Sequence, residues 1–178
     1  RIEQLEIGPE VRPEMGFIRR PDVAKTFATL RFSPRPPIGG LRRIDIRNTF
    51  EYVASVTTRG LLDRNWEINF APELDSGDQA RFAVQYAFQR LDEEFELTPG
   101  VIVPPGDYED WNFGAELSTS RSRAMSVDLG GGAGGFWDGH RWGLGGEVAF
   151  NSPHIGVAIG FDHNDRSEEH TSELQSHV

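Results

Sequence analysis

Apolar and polar residues alternate with a repeat of two along most of this chain, from Ile44 to Phe161. The apolar phase runs through Ile44, Ile46, Phe50 and Tyr52, then Trp66, Ile68 and Phe70, then Phe82, Val84, Tyr86 and Phe88, then Trp111, Phe113 and Leu117. It continues with Met125, Val127 and Leu129, then Trp142, Leu144, Val148 and Phe150, and ends with Val157, Ile159 and Phe161. A strand turns successive side chains to opposite faces, so each run gives a sheet with one greasy face and one of different chemistry. The positions between are charged, amide-bearing or small. This rhythm predicts nine strands, at 1–7, 26–34, 42–57, 62–74, 79–90, 107–119, 123–137, 140–150 and 154–163. No helical period competes with them, although 21–27 has the composition for a single turn.

Several of the connections are short and rich in turn residues: Arg59-Gly60, Asp75 to Asp78, Ser120 to Ser122, Asp138-Gly139 and Asn151 to Pro153. Such turns join antiparallel neighbours, and an up-and-down meander is the simplest topology that uses them all. In a meander the connections alternate between the two ends of the sheet. Segments 8–25, 58–61, 91–106 and 138–139 then share one end, and 35–41, 75–78, 120–122 and 151–153 share the other. Both long connections fall on the first end, an asymmetry typical of outer-membrane barrels. Five or more strands reach the ~9 to 11 residues that a tilted membrane strand needs, against ~5 to 6 in soluble sheets. Trp66, Trp111, Trp137 and Trp142 each lie near a turn, where amphipathic rings form a lipid-facing girdle at the membrane boundary. The run Gly130, Gly131, Gly132, Ala133, Gly134 and Gly135 is poor material for a sandwich core but lets a curved wall bend and backbones approach closely.

The expected fold class is therefore all-β, an antiparallel up-and-down meander forming part of a transmembrane β-barrel, with the cell outer membrane as its location. The alternative is a soluble periplasmic or secreted β-sandwich that binds glycans with surface aromatics. In that alternative the apolar stripes face an inner core and the polar phase faces water.

Charge and composition narrow the partners. The formal charge is −10; Arg166 against Glu168, Glu169 and Glu173 leaves the tail at −2 and residues 1–165 at −8. This acidity argues against nucleic acid, whose phosphates need clustered Lys and Arg. The chain has no cysteine, which excludes disulfides, thiolate metal sites and cysteine nucleophiles. Outer-membrane lipid is the expected partner. The last thirteen residues, Arg166 to Val178 (RSEEHTSELQSHV), carry no stripe of either period. Arg166 to Ser176 matches the translation of a common short-read sequencing adapter, so 1–165 is expected to be the partial barrel domain and 166–178 a non-native tail.

Three segments carry a family resemblance: Leu5 to Glu10 (LEIGPE), Met15 to Asp22 (MGFIRRPD) and Leu30 to Pro36 (LRFSPRP). They resemble the C-terminal half of a bacterial family catalogued as domain of unknown function 5916. The hallmark is the box Gly16, Phe17, Arg19 and Arg20, together with a strand that ends in an Arg-Pro pair. Val11 and Arg12 stand where family members often have phenylalanine and asparagine. The resemblance implies an outer-membrane barrel preceded by a family 9 carbohydrate-binding module. By this implication polysaccharide is a partner through that upstream module, and the barrel anchors or serves it in glycan capture or transport. No catalytic residue is implied.

Candidate chemistry on the chain itself is sparse. His140, His154 and His163 are the histidines of 1–165, all near strand ends, and a metal site would need two to converge with a carboxylate. The acidic run Asp92, Glu93, Glu94 and Glu96, with Asp107, Glu109 and Asp110, has hard oxygen donors but not the spacing of a calcium loop, and reads as a solvated external loop. The glycine run precedes no helix and lacks the lysine of a phosphate loop, and no Gly-x-Ser-x-Gly elbow occurs. No enzyme constellation, cofactor site or metal site is expected. If the apolar phase faces lipid, Arg43, Asp45, Arg47, Glu51, Glu67, Arg81, Gln85, Asn112, Glu116, Asp128 and Glu147 line the lumen. Cross-strand pairs such as Arg47 or Arg43 with Glu67 or Glu73 would stiffen the wall or tune a polar passage.

Overall fold

A computed structural model of the chain describes residues 1–10, 21–98, 101–137, 139–152 and 155–167. Nine strands form one antiparallel sheet. They are β1 (Ile2–Ile7), β2 (Val23–Phe32), β3 (Leu41–Ser55), β4 (Leu61–Leu74), β5 (Gln79–Leu91), β8 (Gly106–Ser118), β9 (Met125–Phe136), β10 (Gly139–Asn151) and β11 (Gly156–Ser167). Each pairs with its predecessor in the meander, and β8 follows β5 directly in the sheet. Between them β6 (Phe95–Thr98) and β7 (Val101–Val103) make a separate two-stranded hairpin inside the long connection. The all-β meander is thus the observed architecture. It is open, since β1 and β11 occupy opposite edges.

The hairpin was not expected. Its signal was present in Phe95 to Val103 (FELTPGVIV), where a Pro-Gly turn dipeptide divides two β-prone runs, but the acidic residues ahead of it suggested a plain loop. A second difference lies at the far edge, where β11 continues beyond 163 so that Arg166 stands opposite Arg141 and Ser167 opposite His140. Two residues of the segment set aside as foreign therefore sit in strand register. Ladder pairing uses backbone N–H and C=O groups that every non-proline residue carries, so a free strand edge accepts them whatever their origin. Residues 168–178 lie outside the described residues.

Register assigns every strand residue to a face. Phe50, Trp66, Tyr86 and Trp111 form one lateral row, Ile68, Val84 and Phe113 the next, and Phe70, Phe82 and Ala115 a third. The apolar phases of separate strands therefore merge into a single sheet face. Many of the large side chains on this face are exposed, although Phe88 is buried. In β8, Trp111, Phe113 and Leu117 are 47, 55 and 52% exposed, while the alternate residues Asp110, Asn112 and Gly114 are half-buried. From Trp66 to Leu74 and from Trp142 to Phe150, eight steps at a rise of ~3.3 Å give an apolar band about 26 Å along the strand.

The enclosed apolar contacts are few. Val23, Val53 and Leu62 are buried together with Ile7 packed against them. Val23 and Val53 lie on the polar side by register, at the end that carries the long connections, and a bulge between Val53 and Ala54 breaks the β3–β4 register beside Leu62. Beside it, Asp22 takes a left-handed φ of 58° and accepts hydrogen bonds from Ser55 Oγ at 2.6 Å, Thr57 N at 3.0 Å and Thr57 Oγ1 at 2.7 Å. These donors hold its carboxyl below the usual range, the Ser55 hydroxyl first among them.

At the opposite end, Gly77 has φ 83° in the 75–78 turn, a region open to glycine. Asp78 joins that turn to the next one along the sheet. It accepts from Ser120 N at 2.8 Å, Ser76 Oγ at 2.7 Å and Arg123 Nη2 at 2.8 Å.

Candidate functional site

All eleven residues expected to line a lumen lie on one face of the sheet, opposite the apolar face. On β2–β5 this face is laced by ion pairs. Arg43 Nη2 donates to Glu73 at 2.7 Å and Arg42 Nη1 to the other oxygen of the same carboxylate at 2.9 Å. Arg31 Nε donates to Asp45 at 2.7 Å, and Lys25 approaches Glu51 at 2.8 Å. The Asp45 and Glu73 side chains are each only 16% exposed, so these carboxylates are more enclosed than the large apolar side chains across the sheet. Arg81 reaches Glu116 at 2.8 Å, and Gln85 Nε2 donates to Asn65 at 3.0 Å.

The expected pairing of Arg43 with Glu73 is realised, whereas Arg47 stands opposite Arg31 and Asn69, and Glu67 opposite Thr49 and Gln85. Periodicity fixed the face of Arg47 but not its partner, which depends on register. A cleft of about 450 Å³ runs along this region, with Arg31, Arg47, Arg81, Asp45, Glu67 and Glu73 on its walls.

On β8–β11 the same face is floored by glycine. Gly114, Gly130, Gly132, Gly134, Gly143 and Gly145 all lie on this face by register. A methyl group on Gly134 would come within 2.5 Å of the Trp111 carbonyl oxygen, and one on Gly132 within 2.9 Å of that of Phe113. The missing side chains let partners meet across a strand. Arg141 on β10 passes over Gly134 on β9 and donates through Nη2 to Asn112 Oδ1 on β8 at 3.0 Å. Glu116 and Asp162 face each other across Gly130 and Gly145. Asp128 is opposite Glu147, and Arg121 approaches Asp128 at 3.6 Å. A hollow of about 700 Å³ follows these glycines. Sequence reasoning named Asn112, Glu116, Asp128 and Glu147 but missed Arg141, because a contact two strands away has no local signature.

Three of the four tryptophans expected in the girdle, Trp66, Trp111 and Trp142, lie on the apolar face near the end with the long connections. Trp137 is a correction. It occupies the β9–β10 turn with φ 57°, and its ring meets that of Tyr108 edge-on at 5.2 Å, a residue of the polar phase. The left-handed turn residue breaks the alternation on which its placement rested. Among the remaining candidates, the His163 ring lies 4.9 Å from that of Trp142 and His140 is exposed at the start of β10. Asp107 is taken by Arg90 in a bidentate pair with both contacts at 2.6 Å. Among the described residues no three His, Asp or Glu side chains converge as metal ligands do. His154 and the box Gly16, Phe17, Arg19 and Arg20 lie outside the described residues.

Compared with family models, curated proteins and solved structures, the chain finds no match in any of the three.

Proposed function

We propose that this chain is a wall segment of a Gram-negative outer-membrane β-barrel, with the apolar face on lipid and the laced, glycine-floored face on the lumen. One observation carries the reading: large apolar side chains are exposed together on one face, while carboxylates and arginines pair on the other. A soluble sheet has the reverse arrangement, since exposed apolar surface of this extent costs free energy in water. Sheet strands of 10 to 15 residues, β1 with 6 excepted, and a band about 20 Å deep at a tilt of ~40° suit the hydrocarbon layer of an outer membrane. By the resemblance in the sequence, the barrel belongs to the domain of unknown function 5916 family. It anchors an upstream carbohydrate-binding module and serves glycan capture or transport, with no catalytic role for these residues.

The test is fractionation of the full-length protein, with gel mobility compared before and after heating. Extraction from the outer membrane only by detergent, with a heat-shifted band, is the expected result. A water-soluble product without a shift would replace the barrel with the β-sandwich.

A further inference from the structure

The apolar face is interrupted by a cation that no carboxylate among the described residues pairs. β4 carries Arg64 in the same phase as Trp66, Ile68 and Phe70, and register sets it between Tyr52 of β3 and Phe88 of β5. Its side chain is half-buried. Nη2 donates to the Tyr86 hydroxyl at 2.8 Å, and the guanidinium carbon lies 5.0 Å from the centre of the Tyr86 ring. Nε is shut off from solvent with no hydrogen-bond partner among the described residues. The other arginine nearby on this face, Arg90, is neutralised by Asp107. Arg64 has no carboxylate within ion-pair distance among the described residues, and Glu109 in the same row is separated from it by Phe88.

Around Arg64 the sheet forms a cavity of about 420 Å³ walled by Phe50, Trp66, Tyr86 and Trp111. Stacking on aromatic faces offsets part of the cost of holding a guanidinium there, but a buried donor without an acceptor is left unsatisfied. Nε is closed to any ligand, so a phosphate meets the guanidinium at its Nη edge and supplies the counter-charge that no carboxylate among the described residues provides. The rows next to the cavity, Ile68 with Val84 and Phe113, then Phe70 with Phe82 and Ala115, contain no charge. An occupant with its anionic group on Arg64 and hydrocarbon along these rows fits both parts; a free anion fits only the first. The cavity lies toward the end that carries the long connections, which on the barrel reading is the outer leaflet.

Resting on that reading, we infer that Arg64 and its four aromatic neighbours bind the phosphate of a lipid headgroup in the outer leaflet, with the acyl chains running down the apolar rows. The experiment uses the full-length protein in detergent. Native mass spectrometry measures its binding of bisphosphorylated lipid A and of the same lipid with its phosphates removed, and heat-shifted mobility is recorded for every sample.

The phosphorylated lipid is expected to bind about tenfold more tightly, since the contact is a charge-assisted hydrogen bond. Arg64→Gln is expected to abolish the preference while the heat shift persists. Arg64→Lys, which keeps the charge but loses the planar fork, is expected to retain only part of it. Equal binding of the two lipids, an undiminished preference in Arg64→Gln, or identical behaviour of the Lys variant and wild type would each overturn the inference and leave the barrel standing. Displacement of the lipid by millimolar inorganic phosphate would overturn it in favour of a free-anion site. Wild-type protein without a heat shift would instead remove the barrel reading itself.

Discussion

Strands β2–β5 and β8–β11 build one continuous polar face from different materials. In the first region long side chains fill the face and satisfy each other between neighbouring strands, as Arg43 with Glu73 and Lys25 with Glu51 do. In the second, glycines clear the surface and polar groups meet across an intervening strand, as Arg141 and Asn112 do over Gly134. The first arrangement resists perturbation because each pair is local and contributes little. The second concentrates its demands on a few positions, Gly132 and Gly134 above all, where an added methyl group would press on the backbone carbonyls of Phe113 and Trp111. The face is ion-paired along one stretch and cleared by glycine along the other.

The largest expected effect tests whether the two regions share a lipid-facing side at all. Val84, at the centre of the apolar rows, should not tolerate arginine. In a membrane barrel Val84→Arg is expected to cost ~2 to 4 kcal/mol, and Val157→Arg on β11 should cost a similar amount. Denaturant titration in detergent or lipid checks this, with Ala83→Arg on the opposite face as the control. Equal tolerance of Val84→Arg and Ala83→Arg would erase the distinction between the faces.

Next comes the glycine floor. Gly134→Ala is expected to destabilise by ~1 to 3 kcal/mol through overpacking against the Trp111 carbonyl, whereas Ala83→Ser in the charged half should stay within ~0.5 kcal/mol. Comparable losses at the two sites would mean that the halves do not differ in tolerance.

A smaller effect is expected from the ion pairs. A double-mutant cycle on Arg43→Gln and Glu73→Gln should give a coupling of ~0.2 to 1 kcal/mol that weakens with added salt. A coupling of several kcal/mol would show that this half also depends on single contacts.

The most local effect concerns Asp78 in the turn that leads into β5. The Ser120 backbone N–H, the Ser76 hydroxyl and the Arg123 guanidinium together hold its carboxyl down to about 2 from an ordinary value of 3.8. A folded pKa below the unfolded one means that the ionised form favours the folded state. The contribution is therefore full above about pH 4 and is lost as pH falls through about 2. Amide exchange at Ser120 followed from pH 5 to 2 should speed up relative to distant turns, and Asp78→Asn should remove that pH dependence. An unchanged Ser120 profile in Asp78→Asn would show that the carboxylate does not hold this turn.

How legible the molecule was in its sequence varies with the range of the interaction. The two-residue alternation and the turn residues determined nine strands, their order in the meander and the face on which each lumen candidate lies, because strand geometry imposes those from neighbours in the chain alone. The Phe95–Val103 hairpin is also legible, in the Pro-Gly dipeptide between two β-prone runs, although the acidic residues ahead of it have the composition of a loop. Other features became visible only in the assembled sheet. The partner of Arg43, the placing of Arg47 opposite Arg31 and Asn69, the passage of Arg141 over Gly134 and the turn of Trp137 toward Tyr108 all depend on inter-strand register or on one left-handed backbone angle. Arg64 shows the limit most sharply: in the sequence it is one more arginine beside an asparagine, and only when β3, β4, β5 and β8 are brought into register does it stand among four aromatic rings with a donor left unmatched. Alternation along the chain specifies faces, whereas contacts between faces and rows come from residues far apart in sequence, and the tertiary structure alone brings them together.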